Sequence, residues 1–299
     1  MPRVSIVLPI YESQATLDRC LARLVSQSYR DREILAVDSS PGPDCERIVH
    51  AHIPEVRLIR SATRLTPHQA LNLGAEAARG ELLAFIDPDA YPRADWVALL
   101  VEAYEAWGGV VAGGVACYGG RWLDLGAHLC KFDKWLPFSR PRPVQEVPTV
   151  NMLMPRTLFD RCGAFLAVPF HADTLLSWRM QEAGIPLRLQ PSAIVEHHHQ
   201  HSWGTLLAER GSRGRGYAEA CIAREAPSRS KLLWLAALSF FPLRLSSQLL
   251  RVGRNATAAH MARAFMLSLP VVISGLYAWL LGECAVFAGR LLGRRAAAR

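Results

Sequence analysis

The run Leu82-Leu83-Ala84-Phe85-Ile86 is opened by Gly80 and closed by Asp87-Pro88-Asp89. No other stretch constrains the fold as much. A short continuous apolar run bounded by turn residues reads as a strand buried on both faces of a parallel sheet. Side chains at i and i+2 of an extended segment point the same way. The Asp87 and Asp89 carboxylates can therefore converge just past the strand's carboxyl end, where open α/β sheets bind ligands. Two convergent carboxylates suit a hard divalent cation, and such a cation suits a diphosphate. Asp-Pro-Asp is also ordinary turn chemistry, and the local sequence alone leaves both readings open.

The flanking chain repeats the strand–helix pattern. Val4 to Pro9 is β-branched and apolar. Ser13 to Gln27 follows with Leu17, Leu21, Leu24 and Val25 at helical spacing, and Ser13 or Thr16 as cap. Glu33 to Asp38 reads as a second strand, Asp44 to His52 as a short helix and Val56 to Arg60 as a third strand. Thr66-Pro67 opens a helix that runs to Arg79, with Thr as N-cap, Pro in the first turn and Gly80 as stop. A helix over Ala94–Trp107 and a strand over Val110–Cys117 come after the Asp-Pro-Asp turn. Strands alternating with helices imply right-handed βαβ units and a mainly parallel sheet flanked by helices. Arg121 to Val147 reads as irregular, a lid or acceptor loop, or a cover for the sheet built from Trp122, Phe132, Trp135 and Phe138.

Charge divides the chain. Residues 1–201 hold 20 Lys+Arg and 22 Asp+Glu, a net of −2; residues 202–299 hold 14 and 4, a net of +10. The acidic balance of the first part and the lack of a groove-reading motif argue against a nucleic-acid partner. The basic last third fits a segment lying on anionic lipid headgroups. There Phe265 to Leu281 is seventeen residues without a charge. That is the short end for a membrane span, for which about 20 is usual. Arg251, Arg254 and Arg263 precede it, and Arg290, Arg294, Arg295 and Arg299 follow. A buried helical hairpin is one reading, and clustered arginines favour a membrane-associated hairpin; a span is open, but keeping every arginine cytoplasmic favours a monotopic or re-entrant attachment at the cytoplasmic face of the cell membrane. The expected division is a catalytic domain over 1–220 and a basic linker with membrane-associated helices over 221–299. The seven cysteines are odd in number and form no CxxC pair, as in a reduced, cytoplasmic protein. The first strand starts almost at Met1 and leaves no room for a signal peptide.

Six segments in order resemble the family 2 glycosyltransferases, enzymes of GT-A fold that use nucleotide-sugar donors. They are Val4–Tyr11, Leu35–Ser39, Ala70–Gly80, Phe85–Asp89, Phe159–Phe165 and Ala172–Arg179. The resemblance implies a GT-A, Rossmann-like α/β domain that moves a hexosyl or deoxyhexosyl group to a hydroxyl acceptor, a glycan or lipid-linked saccharide. It also implies inversion, Mg²⁺ or Mn²⁺ as cofactor and a place in cell-envelope polysaccharide synthesis. The donor would lie on Pro9, Tyr11, Asp38, Ser39, Asn72 and Asp87, with the metal on Asp89. Many members have a second Asp where this chain has Ser39, and Glu-Asp where it has Ala172-Asp173. Asp173 is the implied general base; Asp at a helix start is equally a cap. Trp178, Arg179, His197 and His199 are implied at the acceptor or diphosphate. Adjacent histidines in the run His197–His201 alternate faces, which disfavours a zinc site. Gly211–Gly216 contacts phosphate or forms a flexible basic strap. Transfer to a polyprenyl phosphate, which needs no base, is the alternative activity. A non-catalytic scaffold is a further one, against which Asp38, Asp87, Asp89 and Asp173 argue.

Overall fold

A computed structural model describes residues 1–240 and 242–293. The first half follows the expected alternation. It runs β1 (Val4–Ile10), α1 (Leu17–Val25), β2 (Arg32–Asp38), α2 (Asp44–His50), β3 (Val56–Arg60), α3 (Pro67–Ala77) and β4 (Leu82–Ile86). Then come β5 (Ala90–Pro92), α4 (Trp96–Trp107), β6 (Val110–Tyr118), α5 (Trp122–Phe132), β7 (Arg142–Pro143), β8 (Asn151–Pro155) and α6 (Arg156–Cys162). The remainder is α7 (Ala172–Glu182), β9 (Leu187–His198), α8 (Trp203–Glu225), α9 (Arg229–Phe240), α10 (Pro242–Ala258), α11 (Ala262–Leu267) and α12 (Leu269–Leu291).

The elements form where local chemistry asks for them. α1 buries Leu17, Leu21 and Leu24 on one stripe. α3 starts at a closed capping box: Thr66 accepts from the Gln69 N–H, and the Gln69 side chain accepts from the Thr66 N–H. β1 and β4 are buried along their whole lengths, as strands covered on both faces must be.

The strands make one sheet, ordered β3-β2-β1-β4-β8-β6-β9-β5, with β7 paired to β9. β1, β2, β3 and β4 are parallel neighbours, and β8 runs antiparallel to β4. From β1 the chain steps outward to β2 and β3, then returns to the other side of β1 as β4. The carboxyl ends of β1 and β4 therefore flank a topological switch point. Asn151 ties the middle of the sheet. Its amide donates to the Gly114 and Ala193 carbonyls, 2.9 Å each, and accepts from Trp96 Nε1 at 2.8 Å. It is fully buried there, beside the register shift between Gly113 and Gly114.

The chain gathers into two compact units. The first comprises Met1–Tyr118, Trp135–Val168 and Ala172–His198 and holds the whole sheet. The second takes Gly119–Lys134, Pro169–His171 and the chain from His199 on; it is helical. α8 runs unbroken across residues 220 and 221.

Two expectations are corrected in the second unit. The stretch from Arg121 is not irregular at its start: α5 occupies Trp122–Phe132 and buries Leu123, Gly126, Ala127 and Cys130. That is a helical stripe, obscured in the sequence by the Pro-, Arg- and Trp-rich residues after it. Gly211–Gly216 is no flexible strap, because it lies inside α8. Its glycines let two helices touch: a Cβ on Gly214 would strike the Trp279 carbonyl of α12, and one on Gly282 would strike the Gly211 carbonyl.

Among the described residues, α12 is long and apolar enough to cross a membrane, and it is part buried against its neighbours and part exposed. The bent pair α9–α10 adds a second candidate if it counts as one span. Glu283 of α12 is buried and meets Arg244, the Ser239 hydroxyl and Trp279 Nε1. Leu233, Trp234, Phe240, Leu243, Leu250, Met266 and Leu267 are exposed.

Candidate active site

Of the predicted donor residues, Pro9, Tyr11, Asp38, Ser39 and Asp87 lie at or just past the carboxyl ends of β1, β2 and β4. Parallel pairing aligns Pro9 with Val37 and Ile10 with Asp38. Pro9 is buried in β1, and Tyr11 leaves the strand half-buried. The Arg64 guanidinium stacks 4.3 Å from the Tyr11 ring centroid, a cation–π contact that holds the ring. Asp38 closes β2 with no exposed surface. One of its oxygens accepts from the Ser40 N–H at 2.8 Å, and the other is paired with Arg60 at the end of β3. Each oxygen keeps a second lone pair. Ser39 is buried between them, and no hydrogen-bond partner of its hydroxyl is found among the described residues.

Asp87 and Asp89 follow β4. β5 begins immediately afterwards and pairs antiparallel with β9, setting Ala90 opposite His197. The His198 N–H donates to the Asp89 carbonyl at 2.8 Å. This ladder carries the buried His197 imidazole to 3.6 Å from the Asp89 carboxylate. One ligand atom each from Asp87, Asp89 and His197 lies within 4.8 Å of the other two. Two carboxylates and one imidazole make a donor set that fits a hard to borderline divalent cation. Cys20 of α1 lies behind them, its thiol 3.7 Å from the Asp87 carbonyl. Burial first, then the charges of Asp89 and Asp87, push that thiol's pKa up, so it stays protonated and inert.

Asp173 is the second residue of α7, one position inside the helix and half-buried. Its carboxylate accepts from the Thr174 N–H at 2.8 Å. His171, two residues earlier, has φ +65, a conformation that non-glycine residues seldom adopt.

Other predicted residues have hydrogen bonds to backbone. The Asn72 amide closes a two-way pair with Phe165: Nδ2 donates to its carbonyl at 2.8 Å, and Oδ1 accepts from its N–H at 3.0 Å. Arg179 donates to the Cys162 carbonyl at 2.7 Å and the Ala164 carbonyl at 2.8 Å. Both side chains brace the 162–165 loop. Trp178 is buried on α7. His197 and His199 part company. His199 belongs to the second unit, where its Nε2 is 3.1 Å from His128 Nδ1.

Sequence reasoning missed Arg60 and Arg64, which no local signal distinguishes from surface arginines. It also missed a cluster beside Asp89. Arg19 lies over the rings of Tyr91 and Tyr118 and bonds the Tyr118 hydroxyl. The Tyr91 hydroxyl meets His198 Nδ1 at 3.3 Å.

Comparison with known proteins agrees with this geometry. The profile of glycosyl transferase family 2 matches residues 5–163. Glycosyltransferase AglE of Haloferax volcanii is 22% identical over 285 residues, 90% of this chain and 92% of that protein. Pre-mycofactocin glycosyltransferase of Mycobacterium tuberculosis is 25% identical over 228 residues, 73% of this chain and 47% of that one. Two solved structures share the fold. One is the mannosyltransferase PcManGT from Pyrobaculum calidifontis in complex with GDP-Man and Mn²⁺. It aligns with a TM-score of 0.59 at 19% identity, covering 97% of this chain and 87% of that one. The other is TarS 1-349 of S. aureus in complex with UDP-GlcNAc. Its TM-score is 0.56 at 14% identity, covering 98% and 93%. The expected GT-A fold is borne out. A family match over more than half of the chain, laid on this sheet and its Asp-Pro-Asp edge, makes the chain a member of glycosyl transferase family 2 and a glycosyltransferase enzyme.

Proposed function

We propose that this enzyme transfers a sugar from a nucleotide-diphosphate donor to an acceptor hydroxyl with inversion at the anomeric carbon. The observation that carries the reading is the convergence of Asp87, Asp89 and His197 at the carboxyl end of β4. Asp89 and His197 would hold Mg²⁺ or Mn²⁺ for the donor diphosphate, and Asp87 beside them would face the ribose. Such an ion would supply charge to offset that gathering on the departing nucleotide diphosphate. Tyr11 stacks against the base, and Asp38 accepts from its edge. Arg60 holds the buried Asp38 carboxylate in place through their ion pair. Ser39, where relatives carry an acid, offers a hydroxyl able to donate or accept. Asp173 takes the proton of the acceptor hydroxyl as its oxygen attacks from the face opposite the leaving group. Asn72 and Arg179 act at one remove, by bracing the 162–165 loop.

The second unit keeps the enzyme at the cytoplasmic face of a membrane in a monotopic or re-entrant attachment. Supporting this, the exposed Leu243, Leu250, Met266 and Leu267 lie along a chain that also carries Arg254 and Arg263. Apolar side chains set among arginines are the signature of an interfacial helix.

Calorimetry with GDP and UDP, each with and without Mn²⁺, tests the donor site. The wild type should bind one of them in a Mn²⁺-dependent way, and Asp89→Ala should lose that dependence and keep its melting temperature. Equal affinity with and without the ion in both proteins would sink the metal role.

A further inference from the structure

Four side chains close a box against the Asp-Pro-Asp edge. Tyr91 of β5 is buried, and its ring meets that of Tyr118 of β6 edge-on, with centroids 4.8 Å apart. Both rings lie against the imidazole of His198, the last residue of β9, at 6.1 and 5.3 Å. The Tyr91 hydroxyl is 3.3 Å from His198 Nδ1. Arg19 of α1 is exposed and covers both tyrosines. Its guanidinium carbon stands 5.6 Å from the Tyr91 centroid and 5.3 Å from that of Tyr118, and it donates to the Tyr118 hydroxyl. Each wall comes from a different element, α1, β5, β6 or β9.

The walls are chain neighbours of the carboxylate–imidazole cluster. His198 follows His197, and its N–H donates to the Asp89 carbonyl at 2.8 Å. Successive side chains of a strand point to opposite faces, so His198 enters the box while His197 approaches Asp89. Cys20, next to Arg19, reaches the Asp87 carbonyl at 3.7 Å. β5 is only three residues long, ends the sheet, and sets Ala90, Tyr91 and Pro92 opposite His197, Glu196 and Val195. So short a ladder specifies its register weakly, and a slip of one residue would turn His197 away from Asp89. Cross-strand aromatic pairs and a cation over their faces supply the specificity that the backbone lacks.

We propose that Arg19 and Tyr91 are positioning residues: by closing the box on His198 they hold β5 in register with β9, and so keep the His197 imidazole and the Asp89 carboxylate at the spacing a divalent cation needs. Neither is a ligand. The proposal rests on the reading of Asp89 and His197 as metal-holding residues, and the test separates the two.

The full chain, as wild type, Tyr91→Phe, Arg19→Met and Arg19→Lys, is titrated with Mn²⁺ in the presence of GDP or UDP. Uptake is read from the loss of the free ion's EPR signal. Melting temperature and nucleotide affinity in EDTA are measured in parallel. Tyr91→Phe removes one hydroxyl, keeps the ring and should bind Mn²⁺ about threefold to tenfold more weakly. Arg19→Met, at an exposed position that leaves the core intact, should weaken Mn²⁺ by a similar factor. Both should broaden the EPR spectrum of the bound ion. Arg19→Lys keeps a cation over the rings and should recover most of the wild-type affinity. Nucleotide affinity in EDTA should be the same in all four proteins. Mn²⁺ affinity and bound-ion spectrum equal to wild type in Tyr91→Phe and Arg19→Met overturn the proposal, and a lowered melting temperature beside them makes the box a packing feature only. Arg19→Lys as weak as Arg19→Met overturns the role given to the cation. A wild type that takes up no Mn²⁺ with either nucleotide defeats the metal reading and the proposal with it, whereas uptake by the wild type with no difference among the variants defeats the proposal alone.

Discussion

Asn151→Leu probes how the sheet delivers His197 to the Asp-Pro-Asp edge. The Asn151 side chain is fully buried and makes three hydrogen bonds, one from Trp96 Nε1 and two to the Gly114 and Ala193 carbonyls. Leucine fills similar space and makes none of them. Each buried polar group left without a partner costs about 1–3 kcal/mol, and carbonyls sit at the low end of that range. One orphaned indole N–H and two weakened carbonyls therefore cost about 3–5 kcal/mol. For a chain of this size that is roughly 6–20 °C in Tm. The effect should reach the site, because Ala193 lies on β9 four residues before His197. Differential scanning fluorimetry with and without Mn²⁺ and nucleotide reads both consequences. The variant should melt far lower and lose part of the stabilisation that Mn²⁺ and nucleotide give the wild type. A fall of less than about 3 °C with unaltered ligand stabilisation would refute the reasoning, since it would mean that the three groups find other partners at no cost.

Asp173→Asn keeps an oxygen for the Thr174 N–H, so it should fold and bind donor normally while transfer drops by about 10²–10⁴; wild-type turnover in a transfer assay would exclude the base role. Glu209 gives a pH signature. Burial raises its pKa, but Lys131 and Arg213 outweigh that and hold it at about 2 against an ordinary 4.5. A depressed carboxyl stabilises the fold above its unfolded pKa and loses that contribution as pH falls towards its folded one. Denaturation midpoints should therefore drop between pH 4.5 and about 2 in the wild type, and Glu209→Gln should flatten that slope and cost of the order of 3 kcal/mol at pH 7. An unchanged slope would show that the carboxylate is not held by those cations. Membrane fractionation should recover the chain with membranes at low salt and release it in carbonate; recovery in the soluble fraction at low salt would rule out attachment.

Local order was legible because it depends on local chemistry. The alternation of β1 to β4 with their helices follows from periodicity, and the α3 start follows from Thr66, Pro67 and Gln69. Asp87 and Asp89 were placed at a strand's carboxyl end because an apolar run stops at Asp-Pro-Asp. Asp173 stands in the first turn of α7, where an acidic residue is locally favoured. The tertiary structure alone decided what these residues meet. Pairing of β5 with β9 brings His197 to Asp89, and pairing of β2 with β3 sets Arg60 against Asp38. It also decided that Asn72 and Arg179 bond backbone, that a glycine-rich basic stretch is a helix packed on α12, and that Arg19, Tyr91, Tyr118 and His198 meet beside Asp89. The physical reason is range. Periodicity and capping act over a few residues and are written in them. Strand register and helix contact are set by packing summed over the whole chain, and no single segment carries that sum.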